Sequence, residues 1–243
     1  MPQQLGKTLI VMPAYNEEEA VAGVVREVLG TLPGITCLVV SDGSRDRTVE
    51  RASAAGALVL ELPFNLGVGG AMRAGFRFAL LNGFEHVVQI DSDGQHNPES
   101  VPKVVAALSR SDVVIGARFA GEGDYAVRGP RRWAMRVLAL VLSRIARTPL
   151  TDTTSGYRGA GPRAIALFAE NYPAEYLGDT IESLVIAARH GLSITQVPVS
   201  MRARAGGVAS HAPFKAAVYL ARAGMALLIA LVRPITPPRS VTA

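Results

Sequence analysis

Short apolar runs alternate with segments of helical periodicity through the first half of the chain, and this alternation restricts the possible folds more than any other feature. The apolar runs occupy residues 9–13, 36–40, 57–62, 88–90 and 112–116. After the first run, apolar residues recur from Ala20 to Leu29 at the three- and four-residue spacing of an amphipathic helix. Strands that alternate with helices through short connections predict an α/β fold with a parallel, doubly wound sheet flanked by helices.

Each of the first four predicted strands is followed by a polar or glycine-rich cluster. The clusters are PAYNEE at residues 13–18, SDGSRD at 41–46, NLGVGG at 65–70 and DSDGQH at 91–96. In a doubly wound sheet, ligands bind in the crevice beyond the carboxyl ends of the strands. We therefore expect these clusters to form one site.

Two carboxylates lie two residues apart at the end of the fourth predicted strand. Side chains at positions i and i+2 point to the same side of a strand, so Asp91 and Asp93 could share a hard cation, with the side-chain oxygen of Gln95 as a third ligand. A cation with open positions would bind the diphosphate of a nucleotide. The alternative is an ordinary Asx-rich turn, but the neighbouring polar strand ends favour the metal site.

The glycine-rich cluster begins like a dinucleotide-binding fingerprint but does not complete it. The third glycine would fall at position 72, which is Met72, and the cluster follows the third predicted strand rather than the first. This disfavours a nicotinamide or flavin enzyme. Gly67, Gly69 and Gly70 are compatible with a tight turn that allows close helix packing, and equally with a loop that contacts substrate.

Six motifs in sequence order resemble the inverting family 2 glycosyltransferases of the GT-A fold, especially dolichol-phosphate mannose synthases and bacterial polyprenyl-phosphate glycosyltransferases. They are the four clusters together with GARF at residues 116–119 and TSGYR at 154–158. The resemblance runs from about residue 8 to about residue 211. It implies a Rossmann-like, mostly parallel sheet flanked by helices, with amphipathic helices in the C-terminal half.

The resemblance also implies a reaction: metal-dependent, inverting transfer of a sugar from a UDP- or GDP-sugar to a polyprenyl phosphate of the dolichyl type. One alternative keeps the donor and metal but uses a sugar or glycan hydroxyl as acceptor, in cell-envelope polysaccharide synthesis. Another is a catalytically idle subunit that only binds nucleotide sugar, against which the intact aspartate motif argues.

For the donor, the resemblance implies seven nucleotide-sugar-binding residues, which are Pro13, Tyr15, Glu17, Asp42, Asp91, Arg204 and Ser210. Relatives often carry two acidic residues where this chain has Ser41 and Asp42, so only Asp42 matches. Arg204 and Ser210 belong to residues 201–211, which resemble a loop that covers the donor diphosphate, although Ala209 replaces the usual first serine.

The resemblance implies that Asp91, Asp93 and Gln95 bind Mg²⁺ or Mn²⁺, which are suited to hard oxygen ligands. Asp93 is a predicted catalytic residue, since the metal would neutralise charge on the departing nucleoside diphosphate. The neighbouring His96 is compatible with contact to the metal site and with capping of the following turn.

The acceptor determines which further residues are needed. A lipid phosphate is already anionic and requires cations to position it, whereas a hydroxyl requires a general base. The resemblance implies that Arg118, together with Arg131 or Arg132, faces the acceptor phosphate. Met135 replaces a serine of the relatives, which leaves that contact open. Glu182 is the candidate base for a hydroxyl acceptor, and the alternative for it is a first-turn acid stabilised by the helix dipole.

The charge of the chain is compatible with a membrane surface. It has 25 Lys and Arg against 20 Asp and Glu, a net charge of +5. The basic residues are not interleaved with aromatic ones, which disfavours nucleic acid, and anionic lipid and phosphorylated substrates account better for the excess. Residues 131–147, with Trp133 near the start, predict a basic amphipathic helix that lies in a membrane interface or packs against the sheet.

The length predicts one catalytic domain over residues 1–233, with a nucleotide-binding half at 1–117, an acceptor-binding half at 118–211 and a helix at 212–233 that could associate with the membrane; residues 234–243 form a tail. No segment reaches the roughly 18 to 20 apolar residues of a membrane span. The single Cys37 excludes an internal disulfide, and no secretory leader is evident. We therefore expect a cytoplasmic protein, peripheral on the inner face of the cell membrane, with a small membrane-embedded protein as a further potential partner.

Overall fold

The computed structural model describes residues 5–117, 130–173 and 179–202, and for residues 130–136 and 179 it describes the backbone alone. The strands are β1 (Thr8–Ala14), β2 (Thr36–Ser41), β3 (Leu58–Glu61), β4 (His86–Gln89), β5 (Val113–Ala117), β6 (Arg158–Ala160) and β7 (Ile194–Pro198). The helices are α1 (Val21–Thr31), α2 (Thr48–Ala54), α3 (Val68–Leu81), α4 (Val101–Leu108), α5 (Pro130–Ala146), α6 (Pro162–Asn171) and α7 (Asp179–Arg189), and a short 3₁₀ turn covers Pro98–Ser100.

The seven strands form one mixed sheet in the order β3-β2-β1-β4-β6-β5-β7. Strands β3, β2, β1 and β4 are parallel, and β5 is parallel to β7. Strand β6 is antiparallel to both of its neighbours and places Arg158 opposite Gln89 on one side and Ile115 on the other. The predicted α/β class and mostly parallel sheet are confirmed.

Both faces of the sheet are buried, which explains why its strands are continuously apolar rather than alternating. On β1, Leu9 and Val11 face a core that includes helices α3, α6 and α7, and Ile10 and Met12 face one that includes α1 and α4. Helix α3 lies so near β1 that a Cβ atom on Gly75 would be 2.5 Å from the Val11 side chain. This close approach requires glycine in the middle of a helix, where it is otherwise unfavourable.

Helix α5 packs against the domain with one face and exposes the other. Leu138 and Leu142 are buried, whereas Leu140 is 60% exposed and Val137 is 39% exposed. None of the helices within the described ranges is long and apolar enough to cross a membrane. The predicted helix at 212–233 lies outside these ranges.

Candidate active site

The carboxyl ends of three adjacent strands are joined directly to one another. At the end of β1, the carbonyl of Pro13 accepts a hydrogen bond from Ser92 Oγ at 3.1 Å, and the carbonyl of Ala14 accepts one from the Asp42 backbone N–H at 2.8 Å. The loops after β1, β2 and β4 therefore meet at one edge of the sheet, as the parallel arrangement predicts.

Backbone N–H groups of the loop after β1 donate to the loop after β2 and to the first residue of α2. The N–H of Asn16 donates to Ser44 Oγ at 3.1 Å, and the N–H of Glu17 donates to Thr48 Oγ1 at 2.8 Å. The side chain of Tyr15 is 45% exposed in this loop, and Pro13 and Glu17 are partly exposed. These three predicted donor-binding residues thus lie together at the surface of the crevice.

Asp42 holds the glycine-rich loop in place. It is only 3% exposed, and its Oδ1 and Oδ2 accept the backbone N–H groups of Leu66 at 2.7 Å and Gly67 at 2.8 Å. The loop makes the tight turn described above as one alternative, because Gly67 has φ 80° and a Cβ atom on Gly70 would lie 2.4 Å from Leu66 Cβ. This role of Asp42 is not evident from the sequence, and its contact with the nucleotide remains a prediction.

The structure corrects the argument that placed both carboxylates on one side of a strand. Strand β4 ends at Gln89, before Asp91, and Asp93 lies in a turn. The turn forms because Gly94 adopts φ 77° and Asp93 Oδ1 accepts the backbone N–H of Gln95 at 3.0 Å. Asx-turn chemistry and a cluster of hard oxygen atoms therefore occur in the same segment, although they were considered as alternatives.

His96 contacts Asp91 and does not cap the following turn. Its side chain is 2% exposed, its Nδ1 accepts the Asp91 backbone N–H at 3.0 Å, and its Nε2 lies 3.5 Å from Asp91 Oδ2. The residue that caps the 3₁₀ turn is Asn97, whose Oδ1 accepts the N–H of Glu99 at 3.0 Å. The capping interpretation of His96 is therefore wrong.

The residues of the aspartate turn fit a hard divalent cation by their chemistry. Asp91, Asp93 and Gln95 are each partly exposed, and together they offer carboxylate and amide oxygen atoms. Within the part of the chain that the structure describes, no group of three His, Cys, Asp or Glu side chains could hold a metal ion. A metal at this turn would therefore depend on the amide of Gln95, on substrate oxygen atoms and on water in addition to the two carboxylates.

The segment that precedes β6 closes the site from the other side. A Cβ atom on Gly156 would lie 3.1 Å from Asp91 Oδ2, so glycine lets the backbone approach the carboxylate closely without displacing it. The buried guanidinium of Arg158 holds this segment, since it donates to the carbonyls of Thr153 and Ser155 at 2.9 Å and to Ser183 Oγ at 2.8 Å. Arg158 is thus a structural residue rather than a surface cation.

Glu182 lies in helix α7, next to Ser183, and is buried. It is the fourth residue of that helix, so its position agrees with a first-turn acid, and its predicted role as a base remains a prediction. Arg131 and Arg132 lie at the start of α5, where the structure describes the backbone alone. Arg118, Arg204 and Ser210 lie outside the described residues.

Sequence reasoning missed two residues that support the site. Gln89 is buried at the end of β4, and its Nε2 donates to Asp91 Oδ1 at 3.1 Å. Tyr157 is fully buried, stacks on His96 and donates its hydroxyl to the carbonyl of Asn97 at 2.9 Å. A glutamine within an apolar strand was the available signal for the first, because a buried amide needs hydrogen-bond partners.

Comparison with known proteins identifies the family of the chain. The model of the family described as Glycosyl transferase family 2 matches residues 9–165. The chain is 30% identical over 203 residues to the undecaprenyl-phosphate mannosyltransferase of Micrococcus luteus. This alignment covers 80% of this chain and 83% of that protein. It is also 30% identical over 230 residues to the polyprenol monophosphomannose synthase of Mycolicibacterium smegmatis, and this alignment covers 83% of this chain and 80% of that protein.

Solved structures with the same fold include glucosyl-3-phosphoglycerate synthase from Mycobacterium tuberculosis. Its complex with Mn²⁺, UDP and phosphoglyceric acid has a TM-score of 0.69 at 24% identity and covers 93% of this chain and 79% of that chain. Its complex with Mg²⁺ and UDP has a TM-score of 0.70 at 23% identity and covers 96% of this chain and 83% of that chain. This likeness confirms the predicted GT-A fold.

Proposed function

The chain belongs to glycosyl transferase family 2 and is a glycosyltransferase, and we propose that it transfers a sugar from a UDP- or GDP-sugar to a polyprenyl phosphate, with inversion and with Mg²⁺ or Mn²⁺. The observation that carries the proposal is the aspartate turn: Asp91, Asp93 and Gln95 are partly exposed at the edge of the sheet where the loops after β1 and β2 meet. The two relatives, whose names specify undecaprenyl phosphate and polyprenol, support the acceptor.

On the donor side, Pro13, Tyr15 and Glu17 would contact the nucleoside, because they lie at the surface of the crevice. Asp42 would contribute in two ways. It holds the loop at Leu66 and Gly67, and the lone pairs that these bonds leave on its oxygen atoms could accept a hydrogen bond from the base or ribose. The contributions of Arg204 and Ser210 to the diphosphate follow from the sequence motif alone.

The metal would be held by Asp91, Asp93 and Gln95, which fit it as hard ligands. When bound there, it would stabilise the negative charge that develops on the leaving diphosphate. The backbone around Gly156 approaches Asp91 Oδ2 closely and would limit the access of water to this side of the carboxylate.

On the acceptor side, the phosphate oxygen would attack the anomeric carbon from the face opposite the leaving diphosphate, which inverts the configuration. Arg118 and either Arg131 or Arg132 would position that phosphate, since guanidinium groups bind phosphate oxygens in pairs. A phosphate acceptor requires no general base in this scheme. Glu182 would then have a structural role at the start of α7.

Helix α5 would bring the site to the membrane. The apolar side chains of Val137 and Leu140 point outward, and Arg144 is exposed on the same helix. An outward apolar face next to basic residues is typical of helices that lie in a membrane interface. We propose a peripheral association with the cytoplasmic face of the cell membrane, either directly or through a small membrane-embedded partner, by a single domain that extends to residue 233.

The test is transfer from labelled UDP- and GDP-sugars to polyprenyl phosphate, with Mn²⁺ or Mg²⁺ and with chelator. Asp93→Asn should abolish formation of an organic-soluble product because it replaces a negatively charged metal ligand with a neutral amide. The matched control is Asp112→Asn. Asp112 directly precedes β5, at the amino end of that strand and away from the site, and it binds Ser193 and Arg163. Full activity in the presence of chelator would refute the proposed metal requirement. Transfer only to saccharides would refute the proposed lipid acceptor.

A further inference from the structure

We infer that Gln89 and His96 are positioning residues that fix the carboxylate of Asp91 for metal binding. The inference rests on the proposed function, in which Asp91 is a metal ligand. It assigns a role to two buried side chains that do not themselves bind the metal. Three contacts, one from each side of Asp91, carry it.

The first contact comes from within the sheet. Gln89 is buried at the end of β4, and its Nε2 donates to Asp91 Oδ1 at 3.1 Å. An amide buried in an apolar strand carries a desolvation cost that its hydrogen bonds must offset. An apolar residue would avoid that cost, so the bond to Oδ1 gives glutamine a purpose at this position.

The second contact comes from the far end of the turn. His96 Nδ1 accepts the backbone N–H of Asp91 at 3.0 Å, so the proton of the neutral imidazole lies on Nε2, which faces Asp91 Oδ2 at 3.5 Å. One ring thus contacts both the main chain and the carboxylate of Asp91. Together with Gln89, it approaches the carboxylate at both oxygen atoms.

His96 is itself fixed by its surroundings. Its ring stacks on Tyr157 with centroids 4.8 Å apart, and its backbone forms an isolated antiparallel bridge with Met201. Beside it, the carbonyl of Gln95 accepts the N–H of Arg202 at 2.9 Å, and the Arg202 side chain pairs with Glu27 of helix α1. A ring held in this way can fix the orientation of Asp91.

The third contact limits movement of the carboxylate. The backbone at Gly156 lies so near that a Cβ atom there would be 3.1 Å from Asp91 Oδ2. The carboxylate is therefore bounded by Gln89, His96 and Gly156, yet 38% of the Asp91 side chain remains exposed. The exposed part of the carboxylate is where a metal would bind.

The test measures metal binding directly, by the loss of the EPR signal of free Mn²⁺ as protein is added, in parallel series with UDP and with GDP. Gln89→Leu and His96→Leu should each weaken Mn²⁺ binding about 10-fold or more, the usual effect of removing a group that orients a metal ligand. The matched control is Gln196→Leu, the same substitution at a glutamine of β7 that binds Thr151 instead; it should leave binding unchanged.

A conservative variant separates positioning from packing. In His96→Asn, the side-chain oxygen can still accept the Asp91 N–H although the ring is lost, so Mn²⁺ binding should recover toward the wild-type value. At saturating Mn²⁺, kcat of the two leucine variants should approach that of the wild type, whereas the Mn²⁺ concentration that they need for half-maximal activity should rise. Folding of each variant is checked by thermal unfolding, and Gln89→Leu alone decides the test if His96→Leu does not fold.

Wild-type Mn²⁺ affinity in folded Gln89→Leu, and in His96→Leu where it folds, would overturn the inference and leave the proposed function intact. If the wild-type chain bound no Mn²⁺ with either nucleotide, the metal site of the proposed function would fail, and the inference with it. These two failures are distinguished by the wild-type measurement alone.

Discussion

The imidazole of His96 stacks on the phenol ring of Tyr157, with ring centroids 4.8 Å apart and planes 23° apart. The two residues belong to different motifs, the aspartate turn and the segment before β6. Because the Tyr157 hydroxyl also donates to the carbonyl of Asn97 at 2.9 Å, one buried side chain holds the aspartate turn at two successive residues. Burial raises the pKa of the Tyr157 phenol above its usual value, so the hydroxyl remains a donor at physiological pH.

Tyr157→Phe should destabilise the protein by about 0.5–1.5 kcal/mol, because the partly buried carbonyl of Asn97 loses one of its two donors and keeps the Ser100 N–H. Tyr157→Leu should cost more, since the aromatic contact with His96 is worth about 0.5–1.5 kcal/mol beyond its buried area. Urea unfolding of the wild type and both variants measures these values. Equal stability of Tyr157→Phe and wild type would show that the hydroxyl bond contributes nothing.

The sequence was sufficient to predict the first five strands, because each is a short apolar run between helical segments. It did not reveal β6. That strand has three residues, Arg158–Ala160, too few to show periodicity, and its antiparallel direction is set by pairing with β4 and β5. Its position shapes the candidate site, since the segment before it brings Gly156 against Asp91.

The candidate site could be predicted in outline because polar residues at strand ends carry their own signal. The individual roles of these residues could not be predicted from the sequence, because they depend on contacts between distant segments. The motif predicts that Asp42 binds a ligand, whereas its bonds to Leu66 and Gly67 require the loop after β3 to fold back. The sequence also does not predict the pairing of Arg202 with Glu27, because either residue alone resembles an ordinary charged surface residue.

Asp42→Asn should loosen the glycine-rich loop. A carboxylate accepts both backbone N–H groups, whereas the NH₂ of asparagine would face a donor, so we expect a loss of about 1.5–3 kcal/mol, the value of hydrogen bonds to a charged group. Hydrogen exchange at Leu66 and Gly67 should increase more than at β1. Unchanged exchange at these two amides would contradict the role assigned to Asp42.

Gly43→Ala should be much more destabilising than Gly34→Ala. Both glycines have positive φ, 70° and 81°, so each variant incurs the left-handed backbone cost of about 1–2 kcal/mol. The Cβ atom at Gly43 would also lie 2.7 Å from Asn65 N and from Phe64 C, whereas nothing lies within 4 Å of one at Gly34. The difference in unfolding free energy therefore isolates the contact between the loops after β2 and β3, and two equal values would refute it.

Asp46 should make the junction of the first two loops sensitive to acid. Partial burial acts to raise the pKa of its carboxyl, but hydrogen bonds from Thr48 Oγ1, Thr48 N and Glu18 N outweigh it and hold the pKa below 3.8. A lowered pKa in the folded state means that this stabilisation is present above pH 3.8 and is lost as the pH falls through the folded value. The stability difference between wild type and Asp46→Asn should shrink over that range in urea titrations; a difference independent of pH would contradict the assignment.

Glu182→Gln distinguishes the two classes of acceptor. If a hydroxyl is the acceptor and Glu182 removes its proton, the variant should lose about 10²–10⁴-fold in kcat, the usual contribution of a general base. If a lipid phosphate is the acceptor, no proton must be removed, and the loss should stay below about 10-fold. Glu182 is buried beside Ser183, which accepts a hydrogen bond from Arg158 at 2.8 Å. Thermal unfolding must therefore show that Glu182→Gln is folded. The control variant Ser183→Ala reports the effect of disturbing this helix alone. We expect the smaller loss with polyprenyl phosphate; a loss of 10²-fold or more in a folded variant, with Ser183→Ala active, would favour the hydroxyl acceptor.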